Sequence, residues 1–199
     1  MRPIKSILPA FHQVRSTGKQ TKILILLLVI FFLGSSCSSK SGIAKGKFTQ
    51  LNRAALTVKT SLASGASYRQ LTELVQGLSV EIASIKTKVA TKEEKELLEA
   101  YSDLLAMYRD GLLLWKYKLE FAPFDFVPKG RIYVGQDVEP IVFKYHFPTE
   151  SHLYQPTRQR WKSLSEDSIQ IIWSNADSQL KIIENITNYR TGAAGPPFS

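Results

Sequence analysis

Residues 67–119 read SYRQLTELVQGLSVEIASIKTKVATKEEKELLEAYSDLLAMYRDGLLLWKYKL, and the fold is decided there. Two apolar stripes run through it. The first is Leu71, Leu74, Leu78, Ile82, Ile85 and Val89; the second is Leu97, Tyr101, Leu104, Tyr108, Leu112, Trp115 and Leu119. Spacings of three and four residues put each stripe on one face of a helix. Ser67 with Gln70, and Thr91 with Glu94, have capping-box spacing and mark the two starts. Hardly more than Thr91 separates the stripes, so the helices must fold back as an antiparallel hairpin.

Two further stripes flank this hairpin. Phe48, Leu51, Ala55, Val58 and Leu62 precede it, and Gly65 ends that helix as a C-terminal glycine commonly does. Ile169, Trp173, Ala176, Leu180 and Ile183 follow Ser165-Glu166-Asp167, where acids suit the positive end of a helix dipole. Three helices leave a groove that a fourth can close. The expectation is an all-α protein: an antiparallel four-helix bundle over residues 48–190, with a long Pro- and aromatic-rich connector at 121–165.

The connector carries five prolines, at 123, 128, 140, 148 and 156, which forbid a long helix. Two local readings remain open. Asp137 as N-cap with Pro140 in the first turn gives a short helix presenting Val138, Ile141, Val142 and Tyr145. Alternatively, 131–134 and 141–145 form a hairpin. The connector also holds nine aromatics: Phe121, Phe124, Phe126, Tyr133, Phe143, Tyr145, Phe147, Tyr154 and Trp161. Such rings either cap one end of the bundle or remain open as a partner surface. Phe124, Phe126, Tyr133, Phe143 and Tyr145 are the candidates for that surface.

The first 22 residues carry Arg2, Lys5, Arg15, Lys19 and Lys22 and no acid; Ile23 to Leu33 is then an unbroken apolar run of 11 residues. At ~1.5 Å per residue the run spans about 17 Å, against a hydrocarbon core of ~30 Å. It suits an export signal over residues 1–36, or a short uncleaved anchor. The one cysteine of the chain follows, in Leu33-Gly34-Ser35-Ser36-Cys37. This resembles the lipobox of bacterial lipoproteins, although Leu33 stands four residues before the Cys and Gly34 takes the usual Leu place. The resemblance covers residues 1–39 only. It implies that Cys37 becomes the lipidated first residue, bearing acyl chains such as palmitate. Ordinary leader cleavage after Ser36 would instead leave a free thiol. Ser38 resembles the outer-membrane default of Gram-negative lipoproteins, facing the periplasm. Residues 37–47 then read as a lipidated Cys and flexible tether, and 191–199, with two glycines and two prolines, as a disordered tail.

Of the chain's 26 basic residues, five leave with such a signal, so 21 face 17 acids and little net charge remains. Nucleic acid is therefore not an expected partner, since no basic face or motif remains. One cysteine excludes an internal disulfide. Glu-x-x-His pairs, a Gly-rich phosphate loop, Gly-x-Ser-x-Gly and Cys-x-x-Cys-His are all absent from the sequence. His146, His152 and Glu150 sit among prolines and read as a poor metal set. Glu93, Glu94, Glu96 and Glu99 with Lys92 and Lys95 read as a solvated helix face. Lys86 and Lys88 extend that basic stretch around the hairpin tip. The expectation is a non-enzymatic envelope lipoprotein without metal or cofactor, held at a membrane by Cys37 and contacting an envelope protein or the cell wall. The alternative is a small-ligand carrier with a pocket between bundle and connector.

Overall fold

A computed structural model describes residues 42–189. The expected signal, Cys37 and the tail at 191–199 lie outside the described residues. About two-thirds of the described chain is helical, and a three-stranded sheet accompanies the helices.

Helix α1 spans Lys45–Ala63, α2 Tyr68–Lys86 and α3 Lys92–Phe121. Strand β1 (Arg131–Tyr133), the short helix α4 (Glu139–Tyr145), β2 (Thr149–Tyr154) and β3 (Gln159–Ser165) follow, and α5 (Asp167–Tyr189) closes the described chain. The four long helices share one core. Leu51, Ala55 and Val58 of α1 meet Leu71 and Leu78 of α2, Leu97 and Leu104 of α3, and Ala176, Leu180 and Ile183 of α5. At about 25 cal/mol per Å2 of apolar surface removed from water, this contact is the main source of stability.

The signals at the helix ends behave as their chemistry requires. Gly65 adopts φ 77°, a left-handed conformation that costs glycine little, and lets the Ala66 N–H reach back to the Ser61 carbonyl at 2.9 Å. At the start of α2, Ser67 and Gln70 form a reciprocal capping box. At the start of α3, Thr91 accepts from the Glu94 N–H at 3.1 Å.

The Glu94 side chain departs from the expected solvated face. It is buried, and its carboxylate accepts from Lys47 Nζ at 2.8 and 2.9 Å and from the Ala90 N–H at 2.9 Å. Burial alone pushes its carboxyl upward. The Lys47 ammonium and the N–H groups of Ala90 and Ala44 overcome that and hold it below the usual carboxylate range. Glu94 therefore ties the α2–α3 turn to the first turn of α1. The neighbouring Lys92–Glu96 pair, at 3.9 Å, has the expected i,i+4 form. Ile43 is also buried and α1 begins at Lys45, so ordered structure starts inside the stretch read as tether.

Helix α3 has 30 residues against 19 in α1 and in α2. At ~1.5 Å per residue it overruns its neighbours by roughly three turns. Leu114, in that overrun, joins a second core with Ile132, Val134, Val138, Ile141, Phe147, Leu164, Ile169 and Ile172.

This second core fills the expected Pro- and aromatic-rich connector, and its three-stranded sheet corrects the all-α expectation. Strand order is β1-β3-β2, antiparallel throughout, with Ile132 opposite Leu164 and His152 opposite Trp161. Of the two local readings, the short helix is the one observed at 139–145, with Pro140 in its first turn. Its N-cap is Val138 rather than Asp137, whose carboxylate instead accepts from the Tyr117 hydroxyl at 3.3 Å. Residues 131–133 do form a strand, but it pairs with β3, not with 141–145.

Candidate functional site

Alternation along the strands fixes two faces. Ile132 and Leu164 point into the second core, so Tyr133, Trp161 and Ser163 share the opposite, outer face. Through the β2–β3 register, Glu150, His152 and Tyr154 lie on that face too.

The outer face carries a connected set of rings. Tyr133 and Trp161 lie 5.8 Å apart and inclined by 33°; the His152 imidazole stacks on Trp161 at 4.2 Å. Phe126, from the loop after α3, stands edge-on over them, at 89° to Tyr133 and 87° to Trp161. It also meets Tyr154 at 5.7 Å. Phe124 continues the cluster outward, and Phe121 joins it to Tyr133 at 4.7 Å. Edge-to-face and offset pairs of this kind add about 0.5–1.5 kcal/mol each beyond area burial. The cluster is thus a small third core, but an open one: Phe124 remains 50% exposed and Tyr154 39%.

A polar seam runs beside the rings. Arg131 Nε donates to Ser163 Oγ at 3.0 Å, its Nη2 donates to the Ser163 carbonyl at 3.3 Å, and the same guanidinium meets Glu150 at 3.1 Å. Ser163 Oγ lies 2.7 Å from His152 Nε2. Because guanidinium only donates, Oγ accepts from Arg131 and keeps its hydrogen and a second lone pair for the imidazole. A serine bonded to a histidine resembles an activated nucleophile. Ser163 is fully buried, however, so no acyl donor reaches Oγ in this arrangement. The seam fixes the orientation of Arg131 and His152.

Of the five rings proposed as a partner surface, Phe124, Phe126 and Tyr133 are brought together here. Phe143 and Tyr145 are not. Both belong to α4, where Phe143 is 83% exposed and stands outside the cluster. Tyr145 stacks on Phe147 at 5.4 Å and donates to Asp110 at 2.9 Å, while Lys144 reaches the same carboxylate at 2.7 Å. Burial, then its hydrogen bond to Asp110 and that carboxylate's charge, push its hydroxyl well above the usual phenol range. Tyr145 therefore anchors α4 to α3 and is not a free contact. Arg131 and Ser163 were missed as site residues by the sequence reading, and Glu150 was weighed there only as part of a poor metal set. No period-two apolar alternation marked them: Leu153 and Tyr154 are adjacent in TESHLY, and Trp161 and Leu164 stand three apart in QRWKSLS.

A second concavity lies between the α1–α2 turn, α3 and the start of α5. It is a groove of about 500 Å3 walled by Trp115 and Trp173. Lys59 approaches Asp177 at 3.9 Å across it, and Lys118 pairs with Glu166. Trp173 reaches its place because residue 111 is glycine; a Cβ there would lie 2.3 Å from the indole. Among the described residues, no three His, Cys, Asp or Glu side chains gather as a metal site, and no helix is long and apolar enough to cross a membrane.

Comparison of the chain with known proteins finds no matching family model, no matching curated protein and no matching solved structure.

Proposed function

We propose that this protein is a bacterial envelope lipoprotein, anchored by lipidated Cys37, that works as a non-enzymatic interaction module. The helical bundle is its scaffold, and the outer face of the sheet receives an envelope protein or the cell wall. The observation that carries this reading is the open ring cluster. Phe124 and Tyr154 leave apolar surface in water on the side of the sheet turned away from the second core, beside the oriented Arg131 and His152. Aromatic and arginine side chains on positioned loops are the usual anchors of interfaces.

Two measurements test it. Cys37→Ala releases the protein from membranes into the soluble exported fraction; retention after a carbonate wash points to an uncleaved apolar anchor instead. A photoreactive side chain at Phe124 captures a specific species in native membranes, and one at Leu56, exposed on α1, does not. Equal capture at both positions removes the sheet face from the proposal.

The Trp115–Trp173 groove supports a second reading, a small-ligand carrier. Its two indoles and facing ion pairs suit an amphipathic molecule. Ligand entry there shifts tryptophan emission, and Trp173→Phe reduces that shift.

A further inference from the structure

The sheet ends on β2, and among the described residues no strand pairs with its outer edge. Natural edge strands are blunted by lysine, proline, a bulge or a covering element. Within β2 the residues are Thr149, Glu150, Ser151, His152, Leu153 and Tyr154, with neither lysine nor proline among them. Five of the six are exposed, Leu153 by 48%.

The hydrogen-bond pattern shows which backbone groups face outward. The Val134 N–H donates to the Lys162 carbonyl at 2.9 Å, so residues 162 and 164 of β3 bond toward β1. Residues 161 and 163 then bond toward β2, where they meet His152 and Glu150. Ser151 and Leu153 consequently turn their N–H and C=O groups to the open edge. Their side chains, with Thr149, lie on the inner side of the sheet. Their exposure shows that the body of the protein leaves that side of the edge clear.

We infer that β2 is a self-association edge that pairs antiparallel with β2 of a second copy, about a two-fold axis through Ser151. In that register Ser151 pairs with its own counterpart and Thr149 with Leu153 of the other copy. Glu150 then stands directly opposite the other copy's His152, twice by symmetry. The register one step to either side is poorer. One sets Glu150 against Glu150, and the other sets His152 against His152. A carboxylate acceptor facing an imidazole N–H donor, in place of two like carboxylates or two like imidazoles, thus selects one pairing. The axis is perpendicular to the sheet, so the two three-stranded sheets become one of six strands and their outer ring clusters share a face. One six-residue strand pair falls below the ~1,200 Å2 of a standard interface, so the dimer belongs to the weak, reversible class.

The test is sedimentation of the purified protein at rising concentration, with two variants. Ser151→Pro removes an outward N–H but none of the β2–β3 bonds, a position where an edge strand tolerates proline. It lowers the dimer fraction by ~10-fold or more while helix content and melting temperature hold. Ser151→Cys, in a Cys37→Ala background, forms a disulfide dimer on mild oxidation, and His152→Cys does so far less. This second measurement does not depend on how the proline variant folds. A protein that stays monomeric throughout and gives no Ser151→Cys dimer overturns the inference, as does a dimer indifferent to Ser151→Pro. Preferential crosslinking of Ser151→Cys to a different protein's strand overturns the choice of a second copy.

Discussion

In the four-helix core, buried positions recur every three or four residues and each helix supplies one continuous stripe. In the module at the far end of α3, buried positions come from the ends of α3 and α5 and from short segments between them. β1 and the residue after it contribute Ile132 and Val134, β3 contributes Leu164, and α4 with its N-cap contributes Ile141 and Val138. Leu51, Leu78, Leu104 and Leu180 are almost wholly enclosed, while the module exposes Phe124, Phe143, Leu153 and Tyr154. The difference is one of surface to volume. Four long helices enclose their own stripe, whereas a three-stranded sheet lays one face on the core and turns the other to water. The long helices also expose Val80, Leu119, Ile171 and Ile182, but the exposed large aromatics, Phe124, Phe143 and Tyr154, all belong to the second region.

The largest effect that bears on this contrast is a charge in the helical core. Leu78→Asp or Leu104→Asp buries an unpaired carboxylate at a fully enclosed position. The cost is several kcal/mol against a total stability of ~5–15. Circular dichroism is expected to show loss of the cooperative transition in both. Unchanged helix content and melting temperature would remove these residues from the core.

Glu94 comes next, because it closes the core at the end remote from the module. Its folded carboxyl lies below its unfolded value, so its contribution is full above the unfolded pKa, near 4.3–4.5, and is lost as pH falls through the folded value. Melting temperature is therefore expected to fall as pH drops from 5 toward 3. Glu94→Gln, which leaves the Lys47 ammonium without its carboxylate, costs about 2 kcal/mol at pH 7 and flattens that acid limb. Identical acid limbs in the two proteins would show that other carboxylates govern the transition.

Gly111→Ala probes the join between the regions. Alanine favours a helix over glycine by about 1 kcal/mol. Its Cβ, however, would lie 2.3 Å from the Trp173 ring, and overpacking of this kind costs about 1–3 kcal/mol. A net loss is expected, accompanied by a changed Trp173 emission. A net gain would mean that the indole swings aside freely.

How much of this was legible in advance follows from the same contrast. The helices could be read because propensity, capping and periodicity agree: Ser67, Thr91 and Gly65 act as their types require. Glu94 could not, because its partner Lys47 lies 47 residues away and an i,i+4 neighbour was the nearer explanation. The β2–β3 hairpin was hidden for another reason. Its turn puts Arg158 rather than glycine or asparagine at φ 57°, so the usual turn residue was missing. Without that hairpin, Tyr133, Trp161 and His152 had no common face, and the ring cluster could be named only as a composition. The grouping of Phe143 and Tyr145 with the other rings failed because α4 carries them to the α3 side, where Asp110 holds Tyr145.

A smaller effect has the opposite sign. The Tyr108 hydroxyl is buried without a hydrogen-bond partner among the described residues, and its ring meets Trp173 at 6.2 Å. Tyr108→Phe keeps the ring contact and removes an unsatisfied polar group. A gain of about 1 kcal/mol is expected, read as a higher melting temperature. A loss would show that the hydroxyl finds a partner, such as a buried water.

The smallest expected effect on stability is at Phe124, and it separates the two regions most directly. With 50% of the side chain in water, this ring contributes only part of the burial of a core phenylalanine. What remains is its tilted contacts with Phe121 and Phe126, at 5.8 and 5.7 Å. Phe124→Ser should therefore cost about 1 kcal/mol, compared with ~3–5 for emptying a fully packed aromatic site. Phe126→Ser should cost more, because Phe126 stands against Tyr133, Tyr154 and Trp161 together. If Phe124→Ser melts like wild type yet loses capture of its crosslinked partner, the ring is a contact and the module is the working surface. If it destabilises as strongly as Phe126→Ser, the loop after α3 is a closed core like the bundle. The exposed surface must then be sought at Phe143 and the β2 edge.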